Sequence, residues 1–115
     1  MVILVVEDDG LINWMATEEL QQAGYSVISA HTADEAIAVL ESRNDIALLF
    51  TDIDLPGSLD GLKLAAAVCT RWPPVRIIVT SGKHFPSSDT MPAQSRFLPK
   101  PYGMSGLLQT VRSLL

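Results

Sequence analysis

Glu7, Asp8, Asp52, Thr80 and Lys100 are the residue types that hold hard cations and handle phosphoryl groups. Each stands at or just after a short apolar run, at 2–6, 46–51, 75–79 or 96–98. Apolar runs of this length, each broken by one polar residue, read as buried parallel strands that end at a site. In an open parallel sheet, ligands gather outside the carboxyl ends of the strands, so the landmarks would converge in one cleft. Carboxylates cannot share such a cleft freely. Two like charges ~4 Å apart repel by about 4 kcal/mol at an effective dielectric near 20. Either a pKa rises or a cation enters. A set of oxygen ligands with room for water and a phosphate selects Mg²⁺. Lys100, held between Pro99 and Pro101, supplies a permanent positive charge, Thr80 a hydroxyl donor, and Ser81-Gly82 space beside it.

The elements that must position these residues alternate. Strand runs at 2–6, 25–30, 46–51, 75–79 and 96–98 enclose segments of helical spacing. Leu11, Ile12, Met15, Ala16, Glu19, Leu20 and Ala23 repeat with a period near 3.6 and stop at Gly24. Thr32-Ala33-Asp34-Glu35 reads as a capping box before Ala36, Ile37, Val39 and Leu40. A third helix through Leu62, Leu64, Ala65, Val68 and Cys69 ends at Trp72-Pro73-Pro74, and Ser105 is placed to cap a last one. Alternation of strand and helix forces a parallel sheet with helices on both faces. For five strands the expected fold is α/β, flavodoxin-like and doubly wound, in the order 2-1-3-4-5. Its switch point lies between strands 1 and 3, where the first acidic cluster and Asp52 stand. The stretch 82–94 holds Pro86, Ser87, Ser88, Asp89 and Pro92, poor helix material. The fourth helix is therefore expected to be short or irregular, one turn at most from about Ser87.

Composition bounds the function. The 115 residues make one domain, 1–115, able to bury roughly two-thirds of its unfolded surface. A net charge of −5, with 8 Lys and Arg and no two adjacent, offers no basic patch to nucleic acid or to an anionic membrane. A single cysteine, Cys69, rules out an internal disulfide and fits a reducing compartment; on an apolar helix it reads as a small core residue. The apolar start runs straight into Glu7-Asp8-Asp9, as a strand does and a signal peptide does not. No apolar run approaches the ~20 residues of a membrane span. A cytoplasmic protein is expected.

Taken together, Val-Val-Glu7-Asp8-Asp9, Phe-Thr-Asp52-Ile-Asp-Leu-Pro56-Gly57, Ile-Val-Thr80-Ser-Gly and Phe97-Leu-Pro-Lys100-Pro101-Tyr resemble the receiver domain of bacterial two-component response regulators. The resemblance runs the length of the chain with the blocks in order. It implies that Asp52 is the phospho-acceptor, taking its phosphoryl group from a histidine kinase or histidine phosphotransfer protein. It implies that Asp8 and Asp52 bind Mg²⁺ directly, with the backbone carbonyl of Asp54, and that Glu7 acts through a bound water. Lys100 and Thr80 would neutralise charge on the phosphoryl oxygens, and Lys100–Pro101 would be a cis peptide. Thr80 and Phe97 would form the switch toward a downstream protein target. Phe97 has no hydroxyl and would gain no hydrogen bond on exposure. Leu11 and Trp14, on the first helix, are the candidate docking residues for the kinase; Trp14 lies off the apolar stripe, which Ile12 and Met15 fit.

Other polar residues have structural readings. Asp9 precedes a helix and reads as its N-cap. The Asp54 side chain is expected at the cleft rim, facing solvent. Asp60-Gly61 reads as a helix start, and His31 and His84 as lone surface histidines. The chain departs from the family pattern at Ser58-Leu59, one residue longer than usual between Gly57 and Asp60-Gly61. The weak fourth helix also puts the usual dimerisation face in doubt. With no output domain after Leu115, a stand-alone phosphorelay acceptor is expected, or the receiver of a hybrid histidine kinase. An enzyme proper is disfavoured. Asp52-Ile53-Asp54 matches the Asp-x-Asp core of haloacid-dehalogenase-like phosphatases, but those carry it on their first strand in a longer chain. A phosphate-independent pseudo-receiver is opposed by the complete set Glu7, Asp8, Asp52, Thr80 and Lys100.

Overall fold

A strand covered on both faces needs apolar side chains at consecutive positions. The runs near the N-terminus and around residue 48 meet that condition and occupy the middle of the sheet. The computed structural model describes residues 1–92 and 95–115. Its order is β1 (Val2–Val6), α1 (Gly10–Gln22), β2 (Ser26–Ala30), α2 (Ala33–Ser42), β3 (Ile46–Asp52), α3 (Gly61–Arg71), β4 (Arg76–Ser81), a single 3₁₀ turn (Ser88–Thr90), β5 (Ser95–Pro99) and α4 (Met104–Leu114). All pairings are parallel, in the order β2-β1-β3-β4-β5. The doubly wound order expected from the alternation is the observed one.

Side chains alternate between two cores, one on each face of the sheet. Leu4, Val6, Leu49, Ile77 and Val79 pack with Ala36 and Leu40 of α2 and Leu64 and Val68 of α3. Ile3, Val5, Leu48, Phe50 and Ile78 pack with Ala16 and Leu20 of α1 and Leu107 and Val111 of α4. The strand ends are fixed by register. Asp52 pairs with Thr80 across β3 and β4, and Ser81 with Pro99 across β4 and β5. Register alone therefore brings the acceptor candidate, the hydroxyl and the base of Lys100 to one end of the sheet.

Local signals set the helix ends. Gly24, at φ +100°, turns the chain out of α1 in a conformation that a side chain would oppose. Thr32 Oγ1 accepts from Glu35 N–H at 3.1 Å, as a cap should; the Glu35 carboxylate reaches past Thr32 to the His31 N–H at 3.0 Å. Ser105 does not cap. Gly103 is the N-cap of α4, and its carbonyl takes the first helical bond, from Leu107 N–H at 3.1 Å, which puts Ser105 inside the first turn.

Between β4 and β5 there is no α-helix among the described residues. The connection makes one 3₁₀ turn from the N-cap Ser87, as its prolines predict. Ala93 and Gln94, at the end of that stretch, lie outside the described residues.

Candidate functional site

At the end of β1, the chain turns at Glu7-Asp8-Asp9 into α1. Asp9 caps that helix, its Oδ1 accepting from Leu11 N–H at 3.0 Å and Ile12 N–H at 3.1 Å. Asn13, one turn further, is buried and donates its side-chain amide to the carbonyls of Glu7 and Ala30, both at 3.0 Å. This residue ties α1 to the ends of β1 and β2 and holds Glu7 in place. It has no apolar or charge signature, and sequence reasoning passes over it.

The centre of the site is a buried ion cluster. Lys100 Nζ donates to Glu7 Oε1 at 2.7 Å and to Asp52 Oδ2 at 3.0 Å. Glu7 Oε2 accepts from Asp9 N–H at 3.2 Å, and Asp52 Oδ1 from Asp54 N–H at 3.1 Å. Glu7 and Asp52 are both about as buried as core residues, at 4% exposure each, whereas Asp8 is exposed. Burial pushes the Glu7 carboxyl up to about 7; the Lys100 and Asp9 hydrogen bonds oppose that rise without cancelling it. Burial would lower the Lys100 ammonium, but its hydrogen bonds to Glu7 and Asp52 outweigh this and raise it. Once Glu7 ionises, two buried carboxylates with one lysine leave net negative charge, which favours a cation.

One oxygen from each of Glu7, Asp8 and Asp52 lies within 4.8 Å of the others. A hard, all-oxygen donor set of this kind fits Mg²⁺ better than a softer metal. Thr80, on the neighbouring strand, is 2% exposed, and its Oγ1 has no hydrogen-bond partner among the described residues. A buried hydroxyl without a partner costs free energy. It stands at the end of β4, paired in register with Asp52, where it suits an anionic oxygen arriving at that carboxylate. Lys100–Pro101 is cis.

Gly61 explains how α3 can start so close to Asp52. A Cβ there would lie 1.9 Å from the Asp52 carbonyl oxygen. Its N–H donates to Ile53 O at 2.9 Å, and Asp60 caps the helix through Lys63 N–H at 2.9 Å. The helix-start reading of Asp60-Gly61 is correct but incomplete: the glycine is also needed for contact with the site.

Other expectations require correction. The Asp54 side chain stands at the rim as expected, part-exposed, but it is not free there. Its Oδ2 accepts from Ser81 Oγ at 3.0 Å, and its Oδ1 lies 2.8 Å from His84 Nδ1. The parallel register sets Ser81 one residue past Thr80, within reach of that carboxylate. His84 is accordingly exposed but paired. On α1 the inward stripe is Asn13, Ala16 and Leu20. Met15 is 48% exposed, because the buried Asn13 rotates the helix away from the stripe that a purely apolar count selects. Leu11 and Trp14 are exposed as well. Of the three, Met15 lines a groove of about 510 Å³ together with Ile12, Glu19, Lys100, Pro101 and Tyr102. Phe97 packs half-buried against the α2/α3 core, and Phe85 lies edge-on to it with ring centres 5.8 Å apart.

A parallel sheet ordered 2-1-3-4-5, with acids at the ends of β1 and β3 and a lysine after β5, defines a class: doubly wound proteins that bind their ligands in the crevice at the switch point. Comparison with known proteins narrows the class. Residues 3–112 match the response regulator receiver domain family, and the chain belongs to it. The sensor kinase CckA of Brucella abortus is 28% identical over 98% of this chain, which covers 12% of that protein. The response regulator MprA of Mycobacterium avium is 31% identical over 100% of this chain and 51% of its own length. The chain thus spans about half or less of these curated relatives. Among solved structures, the response regulator TrrA of Thermotoga maritima, in complex with Mg²⁺-BeF, superposes with a TM-score of 0.90 at 30% identity, covering 99% of this chain and 98% of that one. TrrA in complex with the histidine kinase ThkA superposes with a TM-score of 0.87, again at 30% identity, covering 99% of this chain and 97% of the TrrA chain. No helix among the described residues is long and apolar enough to cross a membrane.

Proposed function

We propose that Asp52 accepts a phosphoryl group from a phosphohistidine on a kinase or phosphotransfer protein. A carboxylate oxygen of Asp52 attacks phosphorus, the phosphorus–nitrogen bond breaks, and its electron pair returns to the imidazole. Asp8 and Asp52 hold Mg²⁺ directly together with the Asp54 carbonyl, and Glu7 holds it through a water. The cation supplies charge neutralisation at the phosphoryl oxygens. Lys100 turns from its carboxylate partners to one phosphoryl oxygen, and the Thr80 hydroxyl donates to another. The observation that carries this reading is the pairing of a fully engaged Lys100–Asp52 ion cluster with an unpartnered, buried Thr80 hydroxyl one strand away.

Residues 1–115 act as one receiver domain, in the cytoplasm, and their chemistry is limited to gaining and losing this phosphoryl group. Leu11 and Trp14 supply exposed apolar contact to the kinase beside the cleft. Movement of Thr80 toward the phosphoryl group gives Phe97 room to shift and signals to a downstream protein.

Intact-mass measurement after incubation with Mg²⁺ and acetyl phosphate tests the chemistry. A gain of one phosphate that needs Mg²⁺ and is absent in Asp52→Asn is expected. An adduct retained in Asp52→Asn would move the acceptor elsewhere. No adduct, together with no response to beryllofluoride, would favour a phosphate-independent module.

A further inference from the structure

Asp54, Ser81 and His84 form a polar cluster that phosphoryl transfer itself does not use. Ser81 Oγ donates to Asp54 Oδ2 at 3.0 Å while accepting from the backbone N–H groups of Lys83 at 3.1 Å and His84 at 2.9 Å. His84 then returns its ring, with Nδ1 2.8 Å from Asp54 Oδ1. Both oxygens of one carboxylate are therefore spent on the β4–β5 connection, and the serine hydroxyl is saturated in closing that turn. Asp54 is in turn joined to the acceptor, its N–H donating to Asp52 Oδ1. The residue after His84 is Phe85, which is 71% exposed yet lies against Phe97. A large aromatic held mostly in water needs something to fix it there. With no α-helix in this connection among the described residues, the polar cluster is what fixes it.

We propose that Asp54, Ser81 and His84 are a latch that ties the start of the β4–β5 connection, residues 82–85, to the loop after β3 and seats Phe85 on Phe97, and that a phosphoryl group on Asp52 opens it. His84 is a positioning residue that acts through Asp54. The physical cause of opening is twofold. Phosphorylation adds negative charge beside a carboxylate already committed to the latch. Any pull on Thr80 also moves Ser81, its chain neighbour. This opening step rests on Asp52 being the acceptor; the closed latch does not.

The test is residue-resolved amide exchange at Lys83 and His84, whose N–H groups both end on Ser81 Oγ. In the protein without ligand, His84→Ala is expected to speed both by about fivefold, the effect of roughly 1 kcal/mol. Asp54→Ala should do the same, and the double variant should go no faster than either single one. His84→Asn, whose side-chain N–H can replace Nδ1, should restore slow exchange. Mg²⁺ with beryllofluoride should speed exchange in the wild type and abolish the nuclear Overhauser contact between the Phe85 and Phe97 rings; His84→Ala should lack that contact from the start, and beryllofluoride should add nothing to it. Unchanged exchange in His84→Ala, or additive effects in the double variant, would overturn the latch. Unchanged exchange in the wild type, with fluorine NMR showing beryllofluoride seated, would overturn its opening by phosphate. If fluorine NMR shows no seating, the acceptor assignment and the opening step fall together, while the variants still decide the latch.

Discussion

The cleft at the ends of β1, β3 and β4 and the connection from β4 to β5 are neighbours built on different principles. In the cleft, Glu7, Asp52 and Thr80 sit on strand ends whose register is fixed by two packed cores, and all three are buried. In the connection, Lys83, His84 and Phe85 are exposed, and their placement depends on one serine and one carboxylate. A parallel sheet gives rigid positions at low cost to many side chains at once. A short irregular loop gives mobility, and a few polar contacts suffice to set its resting state. Under the functions proposed above, chemistry falls to the first region and response to the second.

The division can be broken most forcefully at Gly61. Gly61→Ala drives a Cβ into the Asp52 carbonyl, at 1.9 Å from backbone that has no freedom to yield. A loss of about 3 kcal/mol or more in urea denaturation is expected, and a loss below about 1 kcal/mol would mean that α3 is looser against β3 than drawn. Asn13→Ala comes next. It removes donors from the carbonyls of Glu7 and Ala30 inside the fold, with an expected cost of about 2 kcal/mol by the same measurement; Asn13→Asp should be worse, since a carboxylate cannot donate to them.

Acidity tests the cleft differently. The Glu7 carboxyl keeps its proton to about pH 7 in the fold but only to about 4.5 when unfolded. Between those values the folded state binds more protons, so metal-free protein loses stability as pH rises through that window. Thermal melts in a chelator should show Glu7→Gln less sensitive than the wild type between pH 5 and pH 7.5. Equal slopes would place the burial penalty on another group. Mg²⁺ at pH 7 should recover part of the wild-type loss, because it binds the ionised form.

The smallest effect sharpens the comparison from the other side. Phe85→Ala removes a mostly exposed ring and one edge-to-face contact, so a change within about 1 kcal/mol is expected. A larger loss would make the connection part of the core rather than a cover on it.

Sequence alone determined the element order, because alternating apolar runs and 3.6-residue periods are local signals that no distant contact had to supply. It also placed Glu7, Asp8, Asp52, Thr80 and Lys100 at strand ends, since a polar residue stopping a buried run has nowhere else to stand. The prolines at 86 and 92 argued against a regular helix between β4 and β5, and none is present there among the described residues. Tertiary structure decided what depends on two segments meeting. Asn13 is polar in sequence and becomes a buried anchor only because the ends of β1 and β2 bring the carbonyls of Glu7 and Ala30 within its reach, and its burial turns Met15 outward. Gly61 looks like a turn residue until α3 is laid against Asp52. Asp54 and His84, 30 positions apart, look like unconnected surface residues until parallel register brings Ser81 between them and the two pair. Periodicity reports which face of an element is buried; it carries no information on which polar atoms meet across elements, and those meetings are what shape this site.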